Sequence, residues 1–92
     1  MTKINIGIYG PNGRMGKDII DHIGKFSSLK LSILCEKKGH KSIGKSVANL
    51  IIEDDVENLL TRSDVVIDFT TPDATIRLLK IMDNLNIKKT AL

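Results

Sequence analysis

Ile4, Ile6 and Ile8 alternate with Asn5, Gly7 and Tyr9. A period of two with β-branched residues on one side predicts a strand. Beyond a glycine-rich turn the period changes, and Met15, Ile19, Ile20, Ile23 and Phe26 recur at spacings of three and four. That is the apolar stripe of an amphipathic helix. The run LKLSILC, Leu29 to Cys35, follows a pair of serines and predicts a second strand. Strand, turn, helix and strand make a βαβ unit, in which the two strands run parallel and the crossover is right-handed.

The pattern weakens from Glu36 to Asp55. There SVANLI, residues 46–51, is expected as a short helix, and Asp54 or Asp55 as the cap of a further turn through Leu60. Val65, Val66, Ile67 and Phe69, broken by Asp68, read as a third, buried strand. Thr70-Thr71-Pro72-Asp73 then carries a helix-start signature, with threonine at the cap, proline at the first helical position and an acid in the first turn. Ala74, Leu78, Leu79, Met82 and Leu85 supply that helix's apolar face. NIKKTAL leads toward a fourth strand that has barely begun at Leu92. Three strands and a stub are about half of a six-stranded doubly wound sheet. Residues 1–92 are therefore expected to be the front part of a longer enzyme.

Ninety-two residues allow one small domain. No apolar run approaches the ~20 residues of a membrane span, and the N-terminus has no signal-peptide core, so a cytoplasmic location is expected. Cys35 is the single cysteine, and no Cys/His cluster has metal-ligand spacing, so neither an internal disulfide nor a metal site is expected. A net charge of +3 spread over scattered lysines, with two Phe, one Tyr and no Trp, argues against nucleic acid.

The chemistry gathers around GPNGRMG, residues 10 to 16. A strand that feeds a helix through glycines sets the helix N-terminus, with its free N–H groups, at the end of the sheet, where phosphate binds. In the dinucleotide fingerprint the first glycine permits the turn, the second admits a pyrophosphate and the third lets helix and strand pack. The spacing here is G-x-x-G-x-x-G, with Asn12 in the middle position as the non-glycine residue most tolerant of positive φ. A glycine turn of purely architectural purpose is the alternative. A Walker A loop is excluded, because Pro11 stands where its first glycine belongs and Asp18 replaces its hydroxyl residue.

The fingerprint also calls for an acid about 20 positions on, at the end of the second strand, to bind a ribose hydroxyl. Glu36 stands there, with a solvated carboxylate as the alternative reading. Lys37, Lys38 and Lys41 offer charge for a 2′-phosphate or form an exposed loop face, so NADH and NADPH both remain open as the cofactor.

GPNGRMG together with VIDFTTP, residues 66–72, resembles the amino-terminal domain of 4-hydroxy-tetrahydrodipicolinate reductase, also called dihydrodipicolinate reductase. The resemblance implies a Rossmann-like α/β sheet with flanking helices and an NAD(P)H-dependent reductase of lysine and diaminopimelate biosynthesis. It implies that Gly10, Pro11, Asn12, Gly13, Arg14, Met15 and Gly16 wrap the cofactor, that Glu36 takes the adenosine ribose and that Lys37 lies where a 2′-phosphate binds. Phe69, Thr70 and Thr71 would line the nicotinamide side; read alone, they are a core aromatic and a helix cap. The family's Gly-Thr-Thr-Gly turn and its His-His, lysine and Ser-Gly-Thr substrate elements are absent here. No catalytic residue is therefore assigned, His22 and His40 included, and the 92 residues alone are expected to be inactive. A dicarboxylate substrate and homo-oligomeric assembly are expected only of the complete enzyme. A dinucleotide-binding module without chemistry and a structural fragment with unpaired strand edges are the other readings.

Overall fold

The computed structural model describes residues 3–84 and the backbone of residues 90 and 91. Its elements are β1 (Ile4–Tyr9), α1 (Arg14–Ile23), β2 (Leu29–Cys35), β3 (Ser46–Val47), β4 (Leu50–Ile51), α2 (Val56–Arg62), β5 (Val65–Asp68), α3 (Pro72–Asn84) and β6 (Thr90–Ala91). Four strands form one parallel sheet in the order β2-β1-β5-β6. In it Ile6 pairs with Val65, and Tyr9 pairs with both Cys35 and Asp68. This is the expected α/β, Rossmann-like arrangement, with a fourth strand beginning beside β5. Leu85 and the approach to that strand lie outside the described residues.

Alternation along the strands divides the core between two faces. Ile6, Ile8 and Leu34 meet Ile20 and Ile23 of α1, together with Ile52. On the other face Tyr9, Ile33, Cys35 and Val66 meet Leu59 and Leu60 of α2 and Ala74 and Leu78 of α3. Full burial of a Leu or Ile side chain contributes roughly 1.5–3 kcal/mol, so each face is held mainly by the helices laid on it. Gly7 and Tyr9, which alternate with the isoleucines of β1, face the α2 side. A side chain at Gly7 would collide with Ser63 Oγ and Leu59, so α2 lies directly on bare backbone there.

Three side chains assigned to apolar faces are exposed instead: Met15 at 67%, Phe26 at 56% and Leu79 at 52%. Helix α1 ends at Ile23, so the spacing that reaches Phe26 has no helix beneath it. The stripe of α3 passes through Ala74 and Leu78 toward half-buried Ile81 and Met82, which turns Leu79 outward.

SVANLI is a hairpin rather than a helix. Ala48 (φ 50°) and Asn49 (φ 66°) make a two-residue turn between β3 and β4, the handedness that suits strand twist. Six residues are too few to sustain a helix, and the turn seats Val47 and Leu50 against the α1-side core. The two later helix starts follow the sequence reading. Asp55 accepts from the Asn58 N–H at 3.0 Å to cap α2, and Thr71 Oγ1 receives the Ala74 N–H at 3.5 Å at the start of α3.

Candidate functional site

The three glycines of the turn do three different jobs. Gly10 has φ +82°, and a Cβ there would lie 2.9 Å from Thr70 Cγ2 and 3.1 Å from the Phe69 carbonyl carbon. Its N–H donates to the Cys35 carbonyl at 2.9 Å, while the Phe69 N–H donates to the Tyr9 carbonyl at 2.8 Å. The ends of β1, β2 and β5 are thereby tied around the turn. Gly16 is buried in the first turn of α1, where a Cβ would be 2.6 Å from the Pro11 carbonyl oxygen. Gly13 has ordinary backbone angles, and a Cβ there would meet nothing within 4 Å. It starts α1 without a side-chain cap, which leaves the first N–H groups of the helix without a partner from that side chain.

Asn12 does not take the positive φ expected of it; among the described non-glycine residues only Ala48 and Asn49 do. Its side chain does the work instead. Asn12 Nδ2 donates to Glu36 Oε2 at 3.0 Å and to Ser42 Oγ at 2.5 Å. Glu36 is not a solvated carboxylate, since only 5% of it is exposed. The Lys37 N–H donates to Glu36 Oε1 at 3.1 Å, and the Glu36 N–H donates to the Glu53 carbonyl at 2.8 Å. A buried carboxylate needs such donors.

The sequence reading assigns His40 no role. The chain returns its Nε2 to 3.9 Å from Glu36 Oε2. Its Nδ1 receives the Ser42 N–H at 3.1 Å and lies 2.8 Å from Ser42 Oγ. His40 and Ser42 are the site residues that sequence reasoning missed. Their signal was a histidine four positions after the strand-end acid, in a loop turned by Gly39 and Gly44, both at positive φ.

Across the opening, Asp68 fixes the exit of β5. Its Oδ1 accepts from the Thr70 N–H at 2.8 Å and from Thr70 Oγ1 at 2.5 Å, and its Oδ2 accepts from Thr75 Oγ1 at 2.6 Å. Gly10, Asn12, Gly13, Glu36, Lys37, His40, Phe69, Thr70 and Thr71 together line a cleft of about 300 Å³ at the carboxyl ends of the strands. Pro11 and Gly16 are buried and do not line it, Phe69 is half-buried, and Arg14 and Met15 are exposed on the first turn of α1. His22 is exposed in the last turn of that helix, and Lys41 is exposed in the loop. Lys38 faces a second depression with Tyr9, Asp54 and Asp55.

Behind the cleft, burial, with the charge of Glu53 adding to it, pushes the Cys35 thiol up to about 12. Burial, then the charges of Cys35 and Asp68, also raise the Tyr9 phenol above its ordinary value. Both groups stay protonated near neutral pH, so neither serves as a nucleophile there. Among the described residues no group of three or more His, Cys, Asp or Glu side chains gathers to hold a metal ion. No described helix is long and apolar enough to cross a membrane.

The family described as dihydrodipicolinate reductase, N-terminus, matches residues 4–89. A 4-hydroxy-tetrahydrodipicolinate reductase from Roseobacter denitrificans is 37% identical over 84 residues, covering 83% of this chain and 31% of its own. Its counterpart from Pelagibacter ubique is 38% identical over 85 residues, covering 92% and 32%. The chain thus spans about a third of the length of these curated relatives. In fold it is similar to a dipicolinate-bound dihydrodipicolinate reductase from Paenisporosarcina sp. TG-14, with TM-score 0.73 and 18% identity over 98% of this chain and 37% of that one.

Proposed function

The chain belongs to the dihydrodipicolinate reductase family, and on that premise we propose that it forms the dinucleotide-binding part of an NAD(P)H-dependent reductase. The parent reaction is the reduction of 4-hydroxy-tetrahydrodipicolinate to tetrahydrodipicolinate in lysine and diaminopimelate biosynthesis. A reduced nicotinamide supplies the hydride when bound; the protein's part is to orient it and to exclude alternatives.

One observation carries the reading: Gly13 is open where a Cβ would fill the cradle, while Gly10 and Gly16 on either side are packed against backbone. That contrast fits a group seated on the Gly13 backbone and on the uncapped first turn of α1, and an anionic pyrophosphate suits those N–H donors. Glu36, fixed by Asn12 and the Lys37 N–H, accepts from a ribose hydroxyl. Phe69, Thr70 and Thr71 flank the nicotinamide side, with Arg14 and Met15 at the rim. Lys37 lies beside Glu36 with its charge free for a 2′-phosphate.

The dicarboxylate substrate and any assembly into a homo-oligomer belong to the complete enzyme, and residues 1–92 by themselves do not turn over substrate. Titration of the 92-residue protein with NADH and NADPH, followed by amide chemical shifts, tests the reading. Shifts are expected at Gly10, Gly13, Gly16 and Glu36. A dispersed spectrum unmoved by either cofactor overturns the binding assignment, and turnover near that of a full-length relative overturns the inactivity.

A further inference from the structure

The hydrogen bonds around Glu36 fix which nitrogen of His40 carries its proton. A backbone N–H only donates, so Nδ1 of His40, which receives the Ser42 N–H at 3.1 Å, is an acceptor. The Asn12 amide donates one hydrogen to the Glu36 carboxylate and one to Ser42 Oγ. Ser42 Oγ therefore accepts from Asn12 and donates its own hydrogen to Nδ1, 2.8 Å away. Every partner of the ring is accounted for, and the neutral imidazole keeps its hydrogen on Nε2. That nitrogen lies 3.9 Å from Glu36 Oε2, too far for a hydrogen bond between them.

The cleft thus presents a donor and an acceptor side by side with a gap between them. The group that fills such a gap both accepts and donates, which is the chemistry of a hydroxyl. Two hydrogen bonds of about 2.8 Å that meet near a right angle at one oxygen set their outer atoms about 4 Å apart. A phosphate oxygen fits the donor but not the acceptor, because it brings negative charge against a buried carboxylate.

We infer that His40 is a specificity-determining residue whose Nε2–H donates to the adenosine 2′-hydroxyl while Glu36 accepts from it, so that this site selects NADH over NADPH. The inference rests on the dinucleotide reading above and adds to it a residue, a tautomer and a direction of preference. Lys37 opposes the preference as an exposed charge that no side chain among the described residues ties to the 2′ position, whereas His40 is held by Ser42.

The test is calorimetric titration of the 92-residue protein with NADH, NADPH and the NADH analogue that lacks the adenosine 2′-hydroxyl. NADH is expected to bind about tenfold more tightly than either of the others, the worth of one hydrogen-bonded pair beside a charge. His40→Ala is expected to lose about tenfold toward NADH and less than about twofold toward the 2′-deoxy analogue. His40→Gln keeps a donor on a side chain of similar reach and recovers most of the NADH affinity. An equal loss toward both NADH and the analogue overturns the inference, since His40 would then only order its loop. Preference for NADPH also overturns it and leaves the dinucleotide reading intact. If the wild-type protein binds none of the three, the dinucleotide reading fails and takes this inference with it.

Discussion

The turn from Gly10 to Gly16 and the excursion from Glu36 to Glu53 face each other across one cleft and hold their shapes by different means. Within the turn, sterics decide, at Gly10 against Phe69 and Thr70 and at Gly16 against Pro11. Gly10 is at positive φ, Gly16 is pressed against the Pro11 carbonyl, and neither position has room for a side chain. The excursion is shaped by hydrogen bonds within itself and to β2, with one side chain reaching in from the turn. Ser42 receives Asn12, the Glu36 N–H meets the Glu53 carbonyl, the Glu53 N–H meets the Leu34 carbonyl at 3.1 Å, and the Gly44 N–H meets the Ile52 carbonyl at 2.8 Å. Each wall is held mainly by its own contacts, and the Asn12 side chain joins the two. Loss of the Asn12 side chain should therefore reach the excursion, and a change at the tip of the excursion should stay on its own side.

Gly16→Val puts the largest strain on that comparison. The new side chain has to displace α1 from the Pro11 carbonyl, with an expected loss of about 3 kcal/mol in urea unfolding and no measurable NADH binding. Retained binding in a destabilised protein would show that the walls do not depend on α1. Gly13→Ala is the matched control: stability is expected to fall by less than about 1 kcal/mol while NADH affinity drops about tenfold, because the Cβ enters open space.

Asn12→Ala severs the link between the walls and strips a buried carboxylate of a donor, an expected cost of about 2 kcal/mol by chemical denaturation. Amide shifts in residues 36–44 should move with it while those of Gly10 and Gly16 hold still. Broad change in the turn as well would reverse the proposed dependence.

Where the two regions meet, at the end of β2, pH provides a milder probe. The Cys35 thiol is pushed up to about 12 from 9.0 by burial. The unfolded chain loses this proton above pH 9 while the folded chain keeps it, so stability is fully present below pH 9 and declines as pH rises toward 12. The expected slope is about 1 kcal/mol per pH unit in urea midpoints. Tyr9, also raised by burial, adds to the decline above its own ordinary value of 10.0. A flat profile between pH 9 and 11 would mean that β2 opens to solvent. The smallest effect is expected at the far tip of the excursion. Ala48→Gly relieves a positive φ at a residue with a Cβ and should raise stability by about 0.5 kcal/mol, leaving cofactor affinity unchanged.

The same division explains what the sequence made legible. Ile4, Ile6 and Ile8 announce β1 because alternation is a local property, and Thr71-Pro72-Asp73 announces α3 because capping is one too. The role of Gly16 follows from sterics inside the turn, against the Pro11 carbonyl, whereas Gly10 also makes room for Phe69 and Thr70 at the end of β5. Asn12 was misread because positive φ is only one use for an asparagine, and here a side chain from the turn was needed 30 residues away at Ser42. The hairpin at 46–51 was misread because Val47 and Leu50 are three apart, a spacing that fits a helix and also fits two residues facing each other across a two-residue turn. His40 was passed over because its meeting with Glu36 depends on the path of the loop between them, which the pattern of apolar residues does not specify.

Strand β1 lies between β2 and β5, and Ile6 finds its two neighbours at Leu31 and at Val65, 59 positions further on. At about 5–20 residues per second of ribosomal synthesis, the second partner emerges on the order of 3 to 12 seconds after the strand it must join. During that interval the inner strand of the finished sheet has a bare edge. The fold cannot be completed in the order in which it is made, and its assembly is limited by a late, distant pairing. A chaperone that shields extended apolar segments would have its greatest effect on this protein within those seconds.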